Sequence, residues 1–295
     1  MKKNDSVTYH FMLFPGMVLL AVFSIYPMFG TVIAFQDFSP VKGIWGSAFV
    51  GLSNFQYMLT IPDIGQVFYN TLFIAIMKII TSQLLAIVFA LMLNELRSRF
   101  LKKTIQTLVY LPHFMSWVVL ASIVVSILSI DGLFNNFIKG FGQQPIFFLG
   151  SNKTFPGVII ASNAWKEFGF NAIIFIAALT YINPVLYEAA NIDGATRWQQ
   201  LLHVTLPAIV PTIILILTLS LQNVLNAGFG QILNLYSPLV YQSGDIIDTY
   251  VYRAGLKDFQ YELATAVGLL KSVVSLCLIS VSYFIASKFA NYRIF

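Results

Sequence analysis

Six apolar stretches dominate this chain, near residues 11–35, 66–93, 104–128, 157–181, 207–230 and 264–287. Each is close to or beyond the roughly 20 residues that carry a helix across a hydrocarbon layer. Inside that layer no water is available to the backbone, so such a segment must close its own hydrogen bonds as a helix. Only 10% of the 295 residues are charged and 58% are hydrophobic, whereas about a quarter of a soluble domain is charged. The expected fold is therefore an all-α integral membrane protein of about six transmembrane helices, one domain spanning 1–295. The first run follows Lys2 and Lys3, is too long for a signal-peptide core and lacks a small-residue cleavage site, so it reads as a retained span.

The net charge of +5 comes without a basic stripe interleaved with aromatics. That pattern argues against nucleic acid and for basic residues flanking membrane lipid. An even number of spans puts both termini on one side, together with Lys2, Lys3, Arg97, Arg99, Lys102, Lys103, Arg197, Lys288 and Arg293. By the positive-inside rule that side is the cytoplasm. The opposite loops, about 36–65, 129–156 and 231–263, mix acids with Pro, Gly and aromatics and suit short interfacial helices or a docking partner. Cys277 is the one cysteine, and His10, His113 and His203 have no metal-ligand spacing. No metal site and no catalytic constellation is expected. A Gly-x-x-x-x-Gly-Lys phosphate loop is absent from the sequence as well.

The segment 182–207, between the fourth and fifth runs, has the chemistry of two short helices joined by a turn. Asn183 is a cap residue, Pro184 suits a first helical turn, and Asp193-Gly194 supplies turn chemistry. Thr196 and Gln199 have the spacing of a capping box for the second helix. Small Ala189 and Ala190 allow close approach, and Glu188 offers a carboxylate to a basic partner. Taken by itself, the segment is either a stiff elbow able to transmit a push or an ordinary surface loop.

Glu188-Ala189-Ala190, three residues, Gly194, nine residues, then Val204-Thr205-Leu206-Pro207 resembles the EAA loop of binding-protein-dependent ABC transporter permeases. Val204 for Ile is the one departure. Trp165-Lys166-Glu167-Phe168-Gly169, Asp193-Gly194-Ala195 and Asp248-Thr249-Tyr250-Val251-Tyr252-Arg253 are similar to the LplB/YteP-like branch of carbohydrate permeases, so the likeness runs along nearly the whole chain. The resemblance implies a MetI-like permease fold in a bacterial cell membrane and import of a sugar, an oligosaccharide or polysaccharide fragment. It further implies a second homologous permease, two cytoplasmic ABC ATPase subunits carrying ATP and Mg, and an extracytoplasmic solute-binding protein. No cofactor would be bound by this chain. Carried over to these positions, Glu188, Ala189, Ala190, Asp193, Gly194 and Ala195 become the residues coupling it to the ATPases.

Polar side chains inside spans are costly and tend to face a bundle interior or a water-filled route. Trp165, Lys166, Glu167 and Asn171 on the fourth run, with Asn163 nearby, combine donors, acceptors and an aromatic face of the kind sugar transfer requires. Gln222, Asn223 and Asn226 form a second cluster, with Gln222 and Asn226 one helical turn apart. These residues either border a translocation path or pair with neighbouring helices. The rival functions are an ion-coupled secondary transporter, which predicts inverted repeats and does not need the elbow, an ABC permease for a non-sugar solute, and a membrane enzyme, which should gather reactive side chains at one interface. The orientation is checked by thiol labelling in a Cys277→Ser background. Ser98→Cys and Gln199→Cys are expected to react only from inside, and Asn152→Cys from outside intact cells; outside labelling of Gln199→Cys contradicts the topology.

Overall fold

The computed structural model describes residues 3–221 and 224–289, with side chains described over 9–221 and 224–281. The described residues are mostly helical. They form α1 (the helical run Tyr9–Phe35), α2 (Ile64–Glu95), α3 (Arg99–Tyr110), α4 (Trp117–Leu128), α5 (Phe155–Thr180), α6 (Pro184–Ile192), α7 (Leu206–Leu221), α8 (Phe229–Leu235) and α9 (Tyr261–Phe289), with shorter turns between them. Among these residues five helical segments are long and apolar enough to cross a membrane, and there are six if α5 and α6, bent by 67° from each other, count as one broken span.

Two expected spans are not continuous helices. The run 104–128 divides into α3, a tight turn at Leu111–Phe114, extended backbone at Met115 and Ser116, and α4. Pro112 lacks the N–H that would continue the α-helix, and the Ser116 hydroxyl starts a new one by accepting from the Val119 N–H at 3.4 Å. Hydropathy carries through this break because the residues on both sides are apolar. The run 207–230 likewise stops: α7 reaches Leu221, and Val224–Gly228 is non-helical before α8 begins. Gly228 sits before α8 in the left-handed region at φ +97°, a backbone conformation that favours glycine, and a Cβ there would displace the Lys78 ammonium, 2.8 Å away.

The chain forms two compact units, one running up to Ile64 and including Tyr250–Ser272, the other comprising Gly65–Thr249 and the residues from Val273 on. In the first, α1 buries almost none of its apolar surface, as suits a helix whose solvent is lipid. The short antiparallel pair β1 (Gln36–Asp37) and β2 (Ala48–Phe49) follows it, held by the Asn54 amide donating to the carbonyls of Ala34 and Gln36. Phe35 packs there against Phe49 and Phe55.

In the second unit Ile74, Phe155, Ile159, Ile232 and Ile246 centre one core, and Ala86, Ala90, Ala172, Phe175 and Ile209 a second. Lipid tails are as apolar as these side chains, so close packing rather than escape from water holds the helices together. The alanines facing each other from α2 and α5 permit that approach.

Candidate functional site

The elbow is built by interlocking caps. The Asn183 side-chain oxygen accepts from the Val185 N–H at 3.1 Å and opens α6. The helix closes at Gly194, with φ +75°: its N–H donates to the Asn191 carbonyl at 3.1 Å, and that of Ala195 reaches back to Ala190 at 2.9 Å. This paired closure satisfies the last carbonyls and needs a residue at ease with positive φ. Thr196 then opens the next helix with the capping box expected from its spacing. The Gln199 side chain accepts from the Thr196 N–H at 2.7 Å, and the Thr196 hydroxyl accepts from the Gln199 N–H at 3.4 Å.

Three further hydrogen bonds lock the arms. The buried Gln200 amide donates to Asn191 at 2.6 Å and to the Ala195 carbonyl at 3.2 Å, and the hydroxyls of Tyr187 and Thr205 lie 2.9 Å apart. Glu188, Ala189, Asp193 and Gly194 are exposed. Ala189, Ala190, Asp193, Gly194, Ala195 and His203 line a concavity of about 430 Å³, while the apolar side chains of Ile192 and Trp198 project outward, 87% and 66% exposed. The elbow is thus a hydrogen-bonded pair of short helices with small residues in its hollow and exposed apolar side chains at Ile192 and Trp198.

A second feature of this unit is a polar cavity of about 360 Å³ lined by Lys78, Ser82, Gln83, Glu167, Asn171 and Asn226. Asn163 also faces it, donating to the Ser82 hydroxyl at 3.3 Å. The break at Val224–Gly228 borders it through Asn226, Ala227 and Gly228, and the break at Leu111–Ser116 is linked to it through the contact of His113 with Glu167; each break is tied by a lysine from another helix. Lys78 donates to the Ala227 carbonyl and to the Gln231 side-chain oxygen. Fully buried Gln231 passes the network on to the Ile159 carbonyl at 2.7 Å and the Ser162 hydroxyl at 2.8 Å. Lys166 donates to the carbonyls of Pro112, His113 and Met115 at 3.2, 2.7 and 2.7 Å, with its ammonium 5.6 Å from the Trp117 ring centroid. Glu167 meets His113 Nδ1 at 2.9 Å, and the His113 ring stacks on Phe170.

Residues 82–291 match the family described as the binding-protein-dependent transport system inner membrane component. The chain belongs to this family. The permease is 40% identical over 287 residues to the polygalacturonan/rhamnogalacturonan transport system permease protein YteP of Bacillus subtilis, covering 97% of this chain and 89% of that protein. It is 39% identical to Protein LplB of the same organism, covering 99% and 92%. A solved bacterial alginate ABC transporter in complex with an alginate pentasaccharide-bound periplasmic protein contains a chain that superposes with a TM-score of 0.88 at 36% identity, covering 99% of this chain and 98% of that one.

Of the path candidates read from the permease sequence, the structure brings Glu167, Asn171 and Asn226 to one cavity. Lys166 turns instead to the α3–α4 break, and Trp165 lines a separate apolar cleft with Gly157, Val158, Ala161 and Phe148. Gln222 and Asn223 lie outside the described residues. Ser82, Gln83, Gln200 and Gln231 are single polar residues in apolar or loop surroundings with no motif to mark them, and Ala227 and Gln231, the partners of Lys78, lie 149 and 153 residues away from it in the chain. If Lys166 holds the break, Lys166→Met leaves the His113 and Met115 carbonyls without that donor, at about 1–3 kcal/mol for each one left buried, while the Pro112 carbonyl keeps the Met115 N–H. The apparent melting temperature of the purified complex is then expected to fall by at least about 5 °C, with Lys166→Arg milder. An unchanged melting curve for Lys166→Met contradicts this role.

Proposed function

We propose that the permease forms one half of the channel of an ATP-driven importer that takes up an oligosaccharide. In this reading it works beside a second homologous permease, two cytoplasmic ATPases that hold ATP and Mg, and an extracytoplasmic binding protein that delivers the sugar. Both termini face the cytoplasm, and no cofactor is bound by this chain. The observation that carries the proposal is the elbow: a family motif folded into a doubly capped, hydrogen-bonded helix pair, with Glu188 exposed on it. Its sidedness is supported by the Glu95–Arg197 contact of 3.5 Å, which joins the end of α2 to the elbow beside Arg97, Arg99 and Lys102. Saccharide as the cargo is supported by what the relatives carry and by the amide and hydroxyl groups of the cavity.

The elbow lies in the chain between two of the helices that reach the cavity. α5 carries Glu167 and Asn171 and ends three residues before α6 begins; α7 leads from the elbow towards Asn226 and Gly228. Nucleotide-driven approach of two ATPases moves two such elbows together and reorients α5 and α7. Transport is driven only if the nucleotide-bound ATPases favour one helix arrangement over the other, because a ligand indifferent to the two shifts nothing.

Glu188→Ala removes an acceptor for a charge-assisted hydrogen bond, about 1.5–3 kcal/mol or roughly tenfold to a hundredfold in docking. Gly194→Val forces a β-branched residue to positive φ at a cost of about 1–3 kcal/mol. In the complex assembled with its binding protein, each is expected to lower both uptake and sugar-stimulated ATP hydrolysis by about tenfold or more. The cargoes to offer are oligosaccharides from polygalacturonan, rhamnogalacturonan and alginate. Wild-type coupling in both variants contradicts the elbow's role, and ATP-dependent uptake of none of the three by the unaltered complex contradicts the cargo.

A further inference from the structure

In the cavity the charged groups are already engaged. Lys78 is committed to the Ala227 carbonyl and to Gln231, and Glu167 to His113. What remains open is neutral. Gln83 is 8% exposed, lines the cavity, and its side-chain carbonyl oxygen is buried with no hydrogen-bond partner. Asn171 faces the same space from α5, half-buried. A buried amide without a partner is destabilising, so folding does not account for the glutamine that α2 presents to the cavity beside Ala75, Ile79 and Ser82.

We infer that Gln83, with Asn171, forms a charge-neutral subsite that reads the hydroxyl groups of a passing sugar ring. A primary amide offers an acceptor and two donors and exchanges them by turning about its last side-chain bond. A sugar hydroxyl donates and accepts as well, so one glutamine can engage successive hydroxyls in either sense as the ring moves. With Lys78 and Glu167 held by protein partners, the subsite does not select for a carboxylate on the sugar; that discrimination falls to the binding protein. A neutral contact is also suited to transit, because a fixed charge against an acidic sugar would retain it.

This inference rests on the reading that the permease imports saccharide, and the test separates the two. Gln83→Met keeps the length of the side chain and removes the amide; Gln83→Leu removes it in a second shape. Both are assembled with the partner subunits and the sugar-loaded binding protein, and uptake per complex is measured with the polygalacturonan, rhamnogalacturonan and alginate oligosaccharides. Both variants are expected to lower the maximal uptake rate by about fivefold to tenfold, the scale of a lost hydrogen bond. The half-saturation concentration, set by the binding protein, stays where it was. The melting temperature of the complex is expected to hold or rise, since an unsatisfied buried oxygen has been removed. Wild-type uptake rates in both variants overturn the inference. So does a fall in melting temperature that tracks the fall in uptake, because Gln83 is then a structural prop. Uptake of no saccharide by the unaltered complex contradicts the cargo reading itself.

Discussion

A backbone carbonyl inside a hydrocarbon layer has no water to turn to, and the architecture around the cavity follows from how two interrupted helices meet that demand. Between α3 and α4 the carbonyls of Pro112, His113 and Met115 converge on the Lys166 ammonium, which spends its three donors on them. Between α7 and α8 the Ala227 carbonyl takes Lys78. At the first break the positive charge meets carbonyls at the C-terminal end of a helical turn, the arrangement that the helix dipole favours; at the second it meets a carbonyl of the non-helical segment that leads into α8. The lysines come from α5 and α2, so each interruption is fastened to a different, uninterrupted helix.

Once the breaks are held, their neighbours are free to be polar. The turn at Val224–Gly228 brings Asn226 to the same space as Glu167 and Asn171, and α2 contributes Ser82 and Gln83. Continuous helices in these positions would have presented apolar side chains and filled the space. Two of the helices that border the cavity, α5 and α7, flank the elbow in the chain. Gln200 and the Tyr187–Thr205 contact hold the two halves of the elbow to each other. The unit thus has a rigid handle at one end and a hydrogen-bonding chamber along the helices leading from it.

Much of this was legible in the residues. Run length and hydropathy gave the membrane class and the positions of α1, α2, α5 and α9, because a lipid-facing helix must be apolar along its length. The elbow was readable to the level of individual caps: Asn183, Gly194 and the Thr196–Gln199 box stand where their chemistry requires them. The two interruptions were not, because Leu111–Ser116 and Val224–Gly228 sit between apolar residues and local composition does not report where backbone bonds end. Lys166 could be noticed as an intramembrane charge, but its partners lie 51 to 54 residues away in the chain. Gln83 carried no signal beyond being a polar residue in an apolar helix, and its meaning comes from the packing around its unpaired oxygen.

In the proposed importer one rigid elbow and one polar cavity, joined by α5 and α7, act as the two ends of a single device. A cryo-electron microscopy map of the assembled importer in lipid nanodiscs, trapped with a non-hydrolysable ATP analogue and a transported oligosaccharide, would show both ends at once. Saccharide density is expected against Gln83, Asn171 and Asn226, with Glu188 and Gly194 seated in a cleft of the ATPase. Saccharide density remote from this cavity, or an elbow lying free of the ATPase, would contradict that proposal.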